Sequence, residues 1–99
     1  MLDLTPDQLA EVRQILQLQI PERTVRVFGS RVNGTAKPFS DLDLVVMGDA
    51  PLEFRQLAAL KDAFAESNLP FRVDVVDWAT TSAEFRAIIE ERFDVIGEG

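Results

Sequence analysis

The chain is 99 residues long and carries a net charge of −7, and it contains no Cys, His or Tyr. The length predicts one domain over residues 1–99 with a modest core. The missing residue types exclude disulfides, thiol catalysis, cysteine or histidine metal sites and a histidine base, and the acidic balance weighs against direct nucleic-acid binding. Thr5-Pro6-Asp7-Gln8 reads as a helix start: Thr5 caps, Pro6 takes the first helical position and Gln8 completes a capping box. Leu9, Val12, Ile15, Leu16 and Ile20 follow at helical spacing, and Pro21 ends the run. Thr24 to Phe28 is a short β-branched strand. Gly29 to Ser40 is a polar connection with one helical turn after Ser30. Leu42 to Met47 is a second strand, apolar enough to be covered on both faces. Gly48-Asp49-Ala50-Pro51 breaks it. Leu52, Leu57, Leu60 and Phe64 mark a helix from Leu52 to Glu66. Asn68-Leu69-Pro70 is a turn, and Phe71 to Asp77 is the third strand. Thr81 with Glu84 reads as a second capping box, opening a helix that carries Phe85, Ile88, Ile89 and Arg92. Phe93 to Ile96 is a short extended tail. No apolar run is long enough to span a membrane and no signal-peptide pattern is present, so the expected compartment is the cytoplasm.

The stretch from Phe28 to Val46, FGSRVNGTAKPFSDLDLVV, carries the chemistry. Side chains alternate faces along a strand, so Asp41 and Asp43 point one way while Leu42 and Leu44 point the other. Two carboxylates on one spot repel each other unless a cation sits between them. Mg²⁺ suits such a spot, because it takes oxygen ligands and keeps positions open for phosphate oxygens. Gly29 allows positive φ and close approach of a ligand to the backbone. Ser30 is placed to cap the following turn, whose free N–H groups suit a phosphate. An EF-hand reading of Asp41 and Asp43 fails, because the remaining loop ligands, the glycine and the distant Glu are missing.

Topology follows from the same residues. For Gly29, at the end of the first strand, to meet Asp43, near the start of the second, these strands must be antiparallel. The second and third strands are joined through a helix and are expected to be parallel, with a right-handed crossover. That sets Asp74 beside Asp43, on the face opposite Val73 and Val75. A lone Asp in an apolar strand is unfavourable. Its alternatives are a salt bridge to Arg72 or another arginine, and a role in the site. Asp77 has the opposite parity and reads as a turn residue. The expected architecture is a mixed α/β domain, a small sheet of three or more strands flanked by helices, with helices on the Leu42 and Leu44 side.

Gly29-Ser30-Arg31, Gly34 and then Ser40-Asp41-Leu42-Asp43-Leu44 resemble the signature of the DNA polymerase β-like nucleotidyltransferase superfamily, and in particular its minimal nucleotidyltransferase (MNT) branch, the antitoxin partners of HEPN-domain toxins. The resemblance covers nearly the whole chain. It implies the nucleotidyltransferase fold and the transfer of AMP from ATP to a tyrosine hydroxyl of the toxin. It implies Asp41, Asp43 and Asp74 as catalytic residues and ligands of two Mg²⁺ ions. It implies Gly29, Ser30 and Arg31, with Asp41 and Asp43, as the nucleotide site; Arg31 and Lys37 otherwise read as solvated cations. A HEPN-type toxin is then the expected partner in a hetero-oligomer, with Phe85 and Ile89 as candidate contacts. Two further readings stand beside this one: a binding antitoxin that neutralises by occlusion, and the catalytic subunit of a two-chain small-molecule nucleotidyltransferase.

Overall fold

The computed structural model describes residues 2–99. The first helix, α1 (Pro6–Gln19), begins as its sequence dictates. Thr5 Oγ1 accepts from the Gln8 amide at 3.1 Å, and Gln8 Oε1 accepts from the Thr5 amide at 3.0 Å. Strand β1 (Val25–Phe28) leads through Gly29 into a single helical turn, α2 (Ser30–Asn33). Strand β2 (Leu42–Val46), helix α3 (Phe54–Ala65) and strand β3 (Val73–Asp77) form the crossover unit. A short 3₁₀ turn (Trp78–Thr80), helix α4 (Ala83–Glu91) and strand β4 (Asp94–Gly97) complete the chain.

The strands form one sheet in the order β3-β2-β1-β4. β1 runs antiparallel to β2, and β2 runs parallel to β3. The residues expected as an extended tail form a fourth strand, antiparallel to β1 with an irregularity at Val25 and Arg26. On one face Val25, Val27, Leu42, Leu44 and Val46 pack against Val12, Leu16 and Ile20 of the α1 segment and Leu60 and Phe64 of α3. This is the helical layer expected on the Leu42 side. The other face is also covered: Ile89 of α4 packs on Phe28 and Val45, with Met47, Val76 and Trp78 around it. Burying the Ile89 side chain contributes roughly 2 kcal/mol, which fastens α4 to that face.

Two details differ from the sequence expectation. α4 is capped by Ser82, whose Oγ accepts from the Phe85 amide at 3.2 Å. Thr81 instead closes the 3₁₀ turn and donates its hydroxyl to the Asp77 carbonyl at 2.7 Å, which moves the helix start by one residue. Ile89, expected as a surface contact, is 0% exposed, whereas its neighbour Ile88 is exposed.

The connection from α2 to β2 is long and polar, yet it is held from within. Arg31 is only 4% exposed. Its guanidinium donates to the carbonyls of Ser40 (2.8 and 3.1 Å), Pro38 (3.1 Å), Lys37 (3.4 Å) and Asp3 (3.0 Å), and lies 4.0 Å from the ring centre of Phe71. A planar fork of five N–H donors suits several converging carbonyls, which a lysine could not serve at once. The Lys37–Ser40 turn is closed by Ser40 Oγ, which accepts from the Lys37 amide at 2.8 Å. Replacing Arg31 with Met keeps the stem but leaves these part-buried carbonyls without their donor. The expected cost is about 3 kcal/mol, read as a lower urea midpoint, with Arg31→Lys recovering only part of it.

Candidate active site

The site forms where β1 ends and β2 and β3 begin. In the parallel pair, Leu42 faces Val73 and Asp43 faces Asp74. Neighbouring strands lie about 4.8 Å apart, so these two carboxylates start from adjacent positions on one face. Across the antiparallel pair, Phe28 faces Asp43. The next residue, Gly29, has φ +82° and ψ −154°, a conformation that side chains resist. A Cβ at Gly29 would also collide with Asp43 Oδ2. Gly29 is therefore required twice over: by the turn it makes and by the carboxylate pressed against its backbone.

Gly29 is the N-cap of α2 and has no side-chain cap bond, so Ser30 is the first helical residue rather than the cap. This corrects the capping role expected for Ser30. Its hydroxyl is left to other uses, and the first amides of the turn have no intrahelical acceptor. Gly34 ends the turn at φ +80°. Arg31 corrects the expectation of a solvated cation. Its guanidinium is committed to loop carbonyls, so it acts on this region by fixing the path of Lys37 to Ser40 into Asp41.

Asp41, Asp43 and Asp74 come to one end of the sheet but sit in different surroundings. Asp41 accepts from Arg72 Nη2 at 2.8 Å. Asp74 is exposed. Asp43 is half-buried, and its carboxyl is lifted from the ordinary 3.8 to about 6. Burial is the main cause, followed by the charges of Asp74 and Asp41, with Arg72 opposing. Among the described residues no three acidic side chains stand close enough to enclose an ion, and Asp41 is engaged by Arg72. The donor set itself is all carboxylate oxygen, and the charges of Asp74 and Asp41 add to burial in raising the Asp43 value. Those are the properties that favour a hard divalent cation such as Mg²⁺.

Asp77 is excluded from this group. It is buried at the far end of β3, where Oδ2 accepts from the Leu52 amide at 2.7 Å and Oδ1 from the Ala79 amide at 3.2 Å. It is a turn and cap residue, as its parity suggested. Sequence reasoning did not foresee the Arg72–Asp41 pair: Arg72 was weighed only as a partner for Asp74. The signal lay in the β3 register, because the Leu42 amide bonds to the Arg72 carbonyl at 2.9 Å and so sets Arg72 next to Asp41.

A four-stranded mixed sheet with a Gly-Ser turn facing strand-borne carboxylates defines a nucleotidyltransferase, and comparison with known proteins agrees. The nucleotidyltransferase domain family matches residues 9–96. The probable protein adenylyltransferase MntA of Haemophilus influenzae is 53% identical over 97 residues, spanning 98% of this chain and 85% of that protein. A crystal structure of a toxin–antitoxin with AMP-PNP matches with a TM-score of 0.75 at 24% identity, covering 92% of this chain and 73% of that one. A tri-AMPylated Shewanella oneidensis HEPN toxin in complex with MNT antitoxin matches at 0.68 and 22%, covering 92% and 70%. The chain belongs to the nucleotidyltransferase domain family, and its relative MntA of Haemophilus influenzae belongs there with it.

The raised Asp43 value has a consequence for stability. The folded state holds this proton more tightly than the unfolded chain does. The stability due to Asp43 is therefore full below about pH 4 and is lost as pH rises through about 6. In the presence of a chelator, Asp43→Asn should raise stability at pH 8 by about 1 kcal/mol, a figure reduced for the solvent screening of a half-buried group. Urea unfolding at pH 8 and pH 4 checks this, since the gain should disappear at the lower pH.

Proposed function

We propose that this single minimal nucleotidyltransferase domain transfers AMP from ATP to a tyrosine hydroxyl of a HEPN-type toxin and so acts as its antitoxin in the cytoplasm. The observation that carries this reading is the Asp43–Asp74 register beside Gly29, which gathers carboxylates and a helix-opening turn on one face. The 53% identity to a probable protein adenylyltransferase supports the adenylyl group, and the MNT–HEPN complex with an AMPylated toxin supports the partner. These 99 residues contain no tyrosine, so a tyrosine acceptor lies outside them. No helix among the described residues is long and apolar enough to cross a membrane.

In this reading Gly29, Ser30 and the free amides of α2 hold the terminal phosphates, as helix-opening turns do. Arg31 belongs to the nucleotide site through its backbone and by fixing the loop. Asp41, Asp43 and Asp74 would hold two Mg²⁺ ions, which when bound neutralise phosphate charge and lower the acceptor's pKa. The tyrosine oxygen attacks the α-phosphorus, the bond to the β-phosphate oxygen breaks, and pyrophosphate leaves. Asp74 lies at the sheet edge, where a protein acceptor has access, and histidine is absent from the chain. It therefore positions the hydroxyl and helps remove its proton.

Asp74→Asn keeps the shape and removes the charge. Because Asp74 is exposed, folding and toxin binding should be nearly unchanged, while AMP transfer should fall by a factor of roughly a hundred or more. Intact-mass analysis of the co-purified toxin, with ATP and Mg²⁺, reads the transfer directly. Transfer at the wild-type rate would contradict the three-carboxylate site. If neither form adds mass while both neutralise the toxin, occlusion is the mode of action.

A further inference from the structure

Most arginines of this chain have fixed structural work. Arg13, Arg23, Arg31 and Arg86 donate to main-chain carbonyls, and Arg26 pairs with Glu90 against the ring of Phe93. Arg72 differs. Its side chain is 79% exposed, and among the described residues its one hydrogen-bond partner is Asp41 Oδ2 at 2.8 Å. It precedes Asp74 by two residues and shares its strand parity, and its carbonyl is tied to the Leu42 amide between Asp41 and Asp43. It is thus the guanidinium at the mouth of the carboxylate group, fastened there by a single exposed pair.

We propose that Arg72 is the built-in counter-ion of this site: it holds Asp41 while no divalent cation is bound, and it moves to the nucleotide's phosphates when the cation takes Asp41. The inference rests on the carboxylate site of the proposed function and adds a phosphate-binding residue to it.

The argument is electrostatic. Three carboxylates at one end of a sheet repel one another, in a chain whose net charge is already −7. A single guanidinium relieves part of that repulsion. An exposed ion pair is weak, so a divalent cation with oxygen ligands displaces it readily. Once Asp41 is occupied, Arg72 keeps no hydrogen bond of its own; the nearby carboxylates that also attract it, Asp74 and Asp43, are turned to the same cation, and the incoming triphosphate is the local anion. A guanidinium presents paired N–H donors to phosphate oxygens, which suits it to this second role.

The two roles predict effects of opposite sign in one variant. Arg72→Gln removes the competitor, so Mn²⁺ alone, followed by the paramagnetic resonance of the free ion, should bind roughly two- to fivefold more tightly, the scale of an exposed pair. Calorimetry with Mg²⁺ and the imido analogue of ATP should show binding weakened roughly tenfold, the scale of a lost charge-assisted phosphate contact. Arg72→Lys, which keeps the charge without the fork, should fall between. Thermal unfolding of each variant establishes that the fold is retained. If the wild type binds both probes and Arg72→Gln binds Mn²⁺ equally or more weakly, or the analogue equally well, the counter-ion role is overturned and the carboxylate site stands. If the wild type binds neither probe, the carboxylate site falls and this inference falls with it.

Discussion

Two aspartates side by side on one face of a parallel strand pair are the constraint around which the chain is built. Asp43 and Asp74 occupy facing positions, and nothing in β2 or β3 removes their repulsion. What holds them there is the other face. Leu42, Leu44 and Val46 are fully buried against α1 and α3, and a slip of one residue would bring all three out of the core. The apolar set thus fixes the register that the carboxylates alone would resist. Two buried or half-buried arginines hold the ends of the same strand. Arg31 gathers the carbonyls before β2, and Arg23 donates to those of Met47 (3.0 Å) and Ala50 (2.9 Å) after it.

The division of roles between Asp41 and Asp43 follows from two residues of displacement. Asp41 lies just before the first residue of the strand, in reach of solvent and of Arg72, and is ion-paired. Asp43 is one step further into the sheet, between the Gly29 backbone and Asp74, and is pushed up to about 6. A glycine at position 29 is what makes this closeness feasible, since a larger residue would have to displace the carboxylate. The same contact couples position: moving the Gly-Ser turn would move Asp43, so in the proposed function the phosphate-binding turn and the cation-binding carboxylate are set against each other.

The parts of this arrangement legible in the sequence are those written in side chains with a period or a motif. The capping box gave the start of α1; the need for Gly29 to meet Asp43 gave the antiparallel pair, and the crossover gave the parallel pair and with it the Asp43–Asp74 pairing. What was not legible depends on main-chain partners. Arg31 reads as a surface cation because its acceptors are carbonyls, which every residue carries and no sequence displays. β4 was only an extended tail because four residues with one fully buried apolar side chain, Ile96, give too short a pattern to separate a strand from a loop. Ser82 rather than Thr81 caps α4 because the 3₁₀ turn before it had no sequence signature, and Ile89 rather than Ile88 is buried because that choice depends on where the helix starts. The Arg72–Asp41 pair was hidden for a related reason: it joins two residues flanking the ends of strands whose register had to be known first.

Among the described residues the candidate site has one wall and no floor for an acceptor. Phe28, next to Gly29 and opposite Asp43, meets Phe85 of α4 edge-on at 5.6 Å between ring centres, so α4 bounds the site on the β1 side. Among the described residues nothing equivalent bounds it beyond β3, which is an edge strand with Asp74 exposed. In the proposed function a free nucleotide is small enough to be fixed by the turn and the carboxylates alone. A protein acceptor is not, and its orientation must be supplied by its own docking. Specificity for the acceptor is then a property of the pair rather than of this chain. In the proposed function the same openness means that charge has to be managed locally: with no enclosing wall among the described residues, a carboxylate group in a chain of net charge −7 would attract a nucleotide only after a cation has reversed its sign.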